Sequence, residues 1–406
     1  MHKNRLHLAQ LIFLSVLLFT GCSDKPKGTV TEKDNSIPID ITLPTKIDSC
    51  VKRLYPIQKT AVYAYDLTAD KPIYGFHEKE PMPTASCMKL LTGIAAQHLL
   101  TQQFTFDTKL YAKGCIKGDV FHGILALKDG LDPQLAASDL IDFPRKLKKK
   151  GIKRIDGKLL VDLTLPDAIQ AEEHWFPWDL ERSKYGLFYH GKERALRQIK
   201  SSFRNAGIAI ADSNVQLGKV PQRAVCIFKY KRPLSLIIAR MWKNSSNTQS
   251  TGLLCAIGHH VSPKDAPAQA GVTYLRKFMK EEIGADSTFT IHDGCGLCTY
   301  NRLSPEHLVS LLRYGYQHKP IYKWLNQLLP LSGVDGTLLR ELTHPSTRGK
   351  IRAKTGTLSH PYGISTLSGY CPGKNGHIIA FSIMNSEMSV LDARVIQRKL
   401  CQTFVK

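Results

Sequence analysis

A mixed α/β architecture with a smaller inserted domain is what this chain predicts, and three observations carry it. Strand-like and helix-like apolar patterns alternate along most of the sequence, the signature of helices layered on sheet. Between residues 99 and 195 the texture changes, with short strand-like pieces flanking a basic run. Finally, 406 residues with 43% hydrophobic content exceed what one core usually organises, so a main domain with an insert, or two domains, is expected.

Composition and the N-terminus narrow the class. Hydrophobic, aromatic and charged fractions of 43%, 8% and 22% exclude a disordered, collagen-like or polytopic membrane chain. Lys and Arg outnumber Asp and Glu by 56 to 34, a net +22. That surplus suits anionic surroundings, whether nucleic acid, envelope polymers or acidic peptides. Lys3 and Arg5 precede an apolar run from Leu11 to Phe19, broken only by Ser15. This is the layout of a secretory signal, and the run is too short to span a bilayer. It ends in Leu18-Phe19-Thr20-Gly21-Cys22, which resembles a bacterial lipobox with Cys22 as the lipidated first residue. An ordinary signal with an incidental cysteine is the plainer alternative. Residues 1–21 are thus expected to be a lipoprotein signal peptide, whose removal takes away Lys3 and Arg5 and leaves +20. Export argues against nucleic acid as a partner. The expected location is a bacterial envelope, on a membrane and facing the periplasm.

Residues 22–55 read as a polar tether bearing Lys and Pro. Residues 61–67 and the segment ending at Phe76 read as two strands joined by an Asp/Lys/Pro turn. Beyond Pro81 and Pro83 the pattern becomes helical at Ser86, with Met88, Leu90, Leu91, Ile94 and Ala95 on the apolar spacing. Residues 56–98 and 196–406 are assigned to the main domain and 99–195 to the insert. Within the insert, 123–127 and 158–163 look like strands. The run 145–154 (RKLKKKGIKR) reads as a solvated helix end and loop, with attraction to anionic polymers as the functional alternative. Residues 352–354, 364–370 and 378–384 read as the closing strands of a sheet.

Ten cysteines are present, and lipidation of Cys22 leaves nine, so at least one thiol stays unpaired. Cys295-x-x-Cys298 lacks a second ligand pair at zinc spacing, since His259 and His260 are adjacent. Plain buried thiols or a local disulfide are expected there. No metal and no cofactor are expected.

The chemistry resides in three short elements. Ser86-Cys87-Met88-Lys89 sets a hydroxyl and an amine at i and i+3 on a first helical turn, facing the same way. A serine needs a base to become a nucleophile, and a partly buried lysine serves when its proton leaves easily. The helix N-terminus adds free N–H groups suited to an oxyanion. The same spacing recurs at Ser49 and Lys52, but no proline boundary or long apolar helix follows, so Ser86 is preferred. Ser245-Ser246-Asn247 is the only Ser-x-Asn, and Lys354-Thr355-Gly356 the only Lys-Ser/Thr-Gly. Singly these read as a surface turn and an edge-strand pattern. Their order is that of penicillin-binding proteins and class A β-lactamases.

Longer segments sharpen the likeness. Residues 61–97, DGCGLCTYNRLSP at 293–305, LPLSGVDGTL at 329–338 and RAKTGTLSHPYGISTLSGY at 352–370 resemble class C low-molecular-mass penicillin-binding proteins, which are D-Ala-D-Ala carboxypeptidases and endopeptidases. The resemblance covers residues 56–406. It implies a penicillin-binding/β-lactamase-like transpeptidase domain, a mainly antiparallel sheet flanked by helices, carrying a smaller insert. Three departures stand out: the insert is short, KDGLDP (128–133) replaces a Gly-Gly-Asp-Pro-like turn, and Ser246 stands where an acidic residue is common. Residues 196–208 resemble the return to the main domain.

Roles follow from the resemblance. Ser86 attacks the carbonyl between the terminal D-alanines of a peptidoglycan stem peptide, and Lys89 takes its proton. Ser245 passes a proton to the leaving amine, polarised by both lysines. Asn247 holds the substrate amide. Lys354, Thr355 and Thr357 receive the terminal carboxylate, and Gly356 leaves room for substrate. The N–H groups of Ser86 and Thr357 form the oxyanion hole. Trp178 and Asp179 resemble a stretch near the substrate side chain, or belong to the core. Asp335-Gly336-Thr337 reads as a turn and helix cap, and Arg340 as a surface ion pair. β-Lactams are expected to acylate Ser86. The competing functions are a weakly active peptidoglycan-binding lipoprotein and a β-lactamase.

Overall fold

The computed structural model describes residues 38–54, 59–181, 183–359 and 363–405. The expected signal peptide and Cys22 lie outside them. Two five-stranded sheets organise the chain. The first is antiparallel throughout, ordered Arg352–Leu358, Ile364–Pro372, Ile378–Asn385, Thr60–Asp66, Lys71–Phe76. Its central strands bury both faces, so they read as near-continuous apolar runs rather than alternating ones. One face packs on the helices Leu43–Val51 and Val390–Phe404. The other packs on a helical layer that includes Met88–Leu100, Leu234–Lys243, Asn247–Val261 and Pro305–Gln317. Mainly antiparallel sheet between helices is the architecture the sequence pointed to.

Two expected boundaries move. The tether expected over residues 22–55 ends earlier, because Leu43, Ile47 and Val51 are buried along one side of a helix and join the core beneath the sheet. The polar residues between them hid that stripe. Ser49 sits on this helix, where Lys52 pairs with Asp48 at 2.7 Å, so the second Ser-x-x-Lys is a structural helix. The insert, expected over 99–195, continues further. Its sheet is ordered Val215–Leu217, Arg154–Asp162, Val120–Lys128, Thr105–Lys117, Val225–Pro233, with two parallel and two antiparallel pairings. Helix Lys192–Asn205 buries Ala195, Ile199 and Phe203 against it, so the segment expected to re-enter the main domain belongs to the insert core. Chain adjacency misled here, because the closing strand of the insert sheet arrives only at residue 225.

The insert sits directly on the helix that begins at Asn247. A side chain at Gly252 would meet Pro133 at 2.4 Å, so the glycine lets the 129–133 turn close on that helix. Within the turn, buried Asp132 pairs with Arg232 at 2.7 Å, and Asp129 accepts from the N–H groups of Leu131 and Thr164. Leu131 holds φ 54°, where glycine would be easier, and Tyr189 Oη donates to its carbonyl at 2.8 Å. The KDGLDP departure is thus absorbed by hydrogen bonds.

Deep in the helical layer, fully buried Trp242 donates its indole N–H to the Lys89 carbonyl at 2.9 Å. Gly93, one turn along, lies under the same ring, and a Cβ there would come within 2.5 Å of it. Truncating Trp242 removes both the packing and the hydrogen bond. Trp242→Ala is expected to lose about 3–5 kcal/mol of stability, against about 0.5 kcal/mol or less for exposed Leu236→Ala. Urea unfolding midpoints of the two variants check this.

Candidate active site

Ser86, the expected nucleophile, sits on a pinned turn. Ala85 is held at φ 41°, a left-handed conformation that an L-residue adopts at a cost of about 1–2 kcal/mol. It opens a single 3₁₀ turn, Ala85–Cys87, that runs into the helix Met88–Leu100. Neighbours hold it from two sides. Thr366 Oγ1 donates to the Thr84 carbonyl at 2.9 Å, and the Thr84 N–H donates to the Asn301 carbonyl at 3.2 Å. Gly296, at φ 81°, lies so close that a Cβ there would overlap the Ala85 carbonyl at 1.8 Å. Cys87, fully buried, donates its thiol to the Lys354 carbonyl at 3.2 Å. The motif cysteine therefore fastens the third element to the first.

Both motif lysines are fully buried. Lys89 Nζ donates to Ser86 Oγ at 2.8 Å, Asn247 Oδ1 at 2.7 Å and the Cys295 carbonyl at 2.5 Å. Lys354 Nζ donates to Ser245 Oγ at 2.8 Å and the Thr355 carbonyl at 2.6 Å. Burial pushes Lys89 down from the ordinary ammonium range, against opposing pulls from Cys295 and Asp293. Burial and the neighbouring charge of Lys89 bring Lys354 down to about 7. Ser245 is itself at φ 56°, a strained position that aims its hydroxyl at the second lysine.

The loop behind Lys89 is built around Asp293. Its carboxylate accepts from the backbone N–H groups of Cys295, Gly296 and Cys298 at 2.6–2.8 Å, and from the Trp175 indole at 2.8 Å. Thr92 and Ser250 both donate to the Gly294 carbonyl at 2.6 Å. The loop thereby presents the Cys295 carbonyl to Lys89. All nine described cysteines are free thiols, including Cys295 and Cys298.

Strand Arg352–Leu358 is an edge of its sheet. Ala353 donates its N–H outward to the Pro330 carbonyl at 3.1 Å, so by the two-residue repeat the N–H groups of Thr355 and Thr357 point the same way. A cleft of about 350 Å³ runs from Ser86 and Ser245 along this edge to Arg394 and Arg398 on the last helix. Thr337 also lines it, bonded to Thr355 at 2.7 Å. Gly356 lines the cleft, but the reason for glycine is protein packing rather than room for substrate. A Cβ would lie 2.1 Å from Thr366 Oγ1 and 2.9 Å from the Thr84 carbonyl.

The structure therefore unites Ser86, Lys89, Ser245, Asn247, Lys354, Thr355, Gly356 and Thr357. Trp178 and Asp179 stand apart from the cleft lining: Trp178 is exposed and stacks on Phe176, and Asp179 accepts from the Phe176 N–H at 3.1 Å. Asp335 is the expected turn former, accepting from Leu331 N–H at 2.7 Å. Burial alone would raise its carboxyl, yet the ion pair with Lys243 holds it below the usual range. Arg340 is exposed and does not line the cleft. Sequence reasoning named Cys87 only within its motif and Thr337 only as part of a turn, and gave no site role to Asp293 or the Arg394–Glu341–Arg398 group. Of these only Asp293 carried a signal, as the first residue of an Asp-Gly-x-Gly loop.

Comparison with known proteins agrees with this geometry. The family described as D-Ala-D-Ala carboxypeptidase 3 (S13) matches residues 44–186 and 188–404. The D-alanyl-D-alanine carboxypeptidase DacB of Haemophilus influenzae is 22% identical over 85% of this chain and 90% of its own length. A D-alanyl-D-alanine carboxypeptidase from an Actinomadura strain is 24% identical over 80% of this chain and 77% of its own. Penicillin binding protein 4 from Haemophilus influenzae shares the fold at a TM-score of 0.75 and 21% identity, over 89% of this chain and 99% of that one. A predatory peptidoglycan endopeptidase from Bdellovibrio bacteriovorus does so at 0.58 and 18%, over 82% and 87%. A family match that runs through both sheets and every motif element concerns the whole fold, and the chain belongs to the D-Ala-D-Ala carboxypeptidase 3 (S13) family.

Proposed function

We propose that this serine-type D-Ala-D-Ala carboxypeptidase acts on peptidoglycan stem peptides through an acyl-enzyme on Ser86. The observation that carries the proposal is the 2.8 Å contact between Ser86 Oγ and a buried Lys89 whose proton is loosely held. Neutral Lys89 takes the hydroxyl proton as Oγ attacks the carbonyl between the terminal D-alanines. The outward N–H of Thr357 and the N–H of Ser86 at the helix start stabilise the oxyanion. Ser245, polarised by Lys354, relays a proton to the leaving amine. Lys354, Thr355 and Thr357 meet the terminal carboxylate, and Asn247 holds the peptide amide. Water then releases the acyl group. Trp178 and Asp179, off the cleft lining, remain candidates for the outer part of a long stem peptide. The same chemistry on a crosslink gives endopeptidase activity, in keeping with the fold shared with the Bdellovibrio enzyme.

β-Lactams enter as covalent inhibitors of the same serine, by analogy with penicillin binding protein 4 from Haemophilus influenzae, whose structure is known in complex with a β-lactam. In class A β-lactamases a glutamate activates the water that releases the penicilloyl group. Glu341, the carboxylate among the cleft-lining residues, is engaged by Arg394 and Arg398 at 3.1 Å each. This supports a long-lived adduct over β-lactamase turnover. We place the chain on an envelope membrane through a lipid on Cys22. No helix among the described residues is long and apolar enough to cross a membrane.

Intact mass after incubation of the detergent-purified chain with benzylpenicillin checks the nucleophile. One penicilloyl adduct is expected, surviving in Ser49→Ala and absent in Ser86→Ala, with D-alanine release from a stem peptide lost in the same variant. A consumed drug without lasting adduct identifies a β-lactamase instead, and no adduct with no consumption identifies a binding protein.

The lysine pair sets the pH dependence. As pH falls through about 7, the pair gains a second proton and Lys89 ceases to be a base, so the acylation rate falls. Lys354→Met removes the amine that donates to Ser245 Oγ at 2.8 Å. Its rate is expected to drop by about 100-fold or more, and the inflection near pH 7 to disappear with the group that titrates there. Stopped-flow acylation rates between pH 5 and 10 measure both effects.

A further inference from the structure

Beside the catalytic loop lies a second cluster that the reaction above does not use. Glu172 and His174 come from the insert, and His292 and Cys298 flank the Asp293 turn of the main domain. One donor atom from each lies within 4.8 Å of all the others. His174 Nδ1 is 2.7 Å from Glu172 Oε1, and His292 Nδ1 is 3.5 Å from that same oxygen. Two imidazoles, a thiol and a carboxylate form the donor set of a borderline-soft, four-coordinate cation. Zinc–nitrogen and zinc–sulfur bonds of about 2.0–2.3 Å set donors roughly 3.3–3.7 Å apart. The present spacings need changes of about 1 Å or less, within reach of side-chain rotation.

The backbones that carry these donors are already fixed. Glu172 Oε2 accepts from the His174 N–H at 2.9 Å, which leaves Oε1 to face the cluster. The His292 N–H is held by Asn301 at 2.7 Å, and the Cys298 N–H by Asp293 at 2.8 Å. Trp175, buried against Cys295 and Cys298, ties the two segments through its indole hydrogen bond to Asp293. Outer partners of this kind orient the ligands and sharpen affinity. Cys298 is buried while both histidines reach solvent, so an ion has a route in.

We propose that Glu172, His174, His292 and Cys298 bind one divalent transition-metal ion of the zinc class, clamping insert residues 172–175 to the 292–298 loop. On binding, the thiol of Cys298 yields its proton to water and the ion replaces the proton now shared by His174 and Glu172. The clamped loop is the one whose Cys295 carbonyl receives Lys89, so the ion braces a catalytic support without touching substrate. Sequence spacing concealed the set, because its halves lie 118 residues apart at Trp175 and Asp293.

Cobalt substitution tests this on the full chain, purified untagged in detergent and stripped with a chelator. One equivalent of Co²⁺ is expected to give four-coordinate d–d absorption and a thiolate-to-cobalt charge-transfer band, both displaced by Zn²⁺. Cys298→Ser should abolish the thiolate band, and His174→Ala should weaken binding by more than about tenfold. His174 is exposed, so its variant keeps the test open if Cys298→Ser fails to fold. A chain that takes up no cobalt, or a thiolate band that persists in folded Cys298→Ser, overturns the proposal.

Discussion

Two lysines buried as neighbours are the constraint around which the main domain is arranged. Their hydrogen-bond partners are neutral oxygens: two hydroxyls, a side-chain amide and two backbone carbonyls. A carboxylate partner would fix the charge and end the chemistry, because a paired lysine holds its proton. Neutral acceptors satisfy the N–H groups in either protonation state, and burial then biases both lysines toward the neutral form. Holding them so requires help from every part of the domain. The helix from Met88 supplies Lys89, the helix from Asn247 and the Asp293 loop one acceptor each, and the edge strand both Lys354 and the Thr355 carbonyl.

Close approach among these parts is secured by small residues rather than by long side chains. Gly296 against Ala85, Gly356 against Thr366 and Gly93 against Trp242 are contacts that a single methyl would break. Two of the residues held at positive φ, Ala85 and Ser245, belong to the motif elements. Strain persists where neighbours over-determine the backbone: Gly296 and Thr366 crowd the Ala85 turn, and Lys354 holds the Ser245 hydroxyl. The site and its support are therefore one packing problem, which explains why fully buried Cys87 and Thr366 matter to a serine they only flank.

How far the sequence spoke depended on whether a feature was local. The strands at 60–66, 71–76, 352–358, 364–372 and 378–385 and the helix after Ser86 were legible, since turn residues and apolar periodicity bound each of them. So were the three short motifs, whose residues the structure brings together, because each is confined to a few positions. The helix Leu43–Val51 was not, because its buried stripe of three residues is interleaved with Lys, Asp and Ser. Nor was the true extent of the insert, whose last strand pairs with its first after more than a hundred residues of chain. Thr337, Arg394 and Glu341 reach the cleft through tertiary packing alone, and no spacing in the sequence encodes that.

The edge strand Arg352–Leu358 carries a consequence for solubility. A row of outward N–H and C=O groups is a template for any extended chain, including another copy of this one. Most proteins cap such an edge with a helix or loop, but an enzyme whose substrate is a peptide must leave part of it bare. Here only the first residues are covered, through the bridge from Leu331 to Arg352 and the bond from Ala353 to Pro330. The rest is short, lies in a cleft and sits beside buried positive charge. A peptide laid along the cleft can pair with these groups, whereas a second protein strand finds only a short edge. One strand of seven residues thus leaves an edge open to a peptide, while its shortness guards against pairing with another copy.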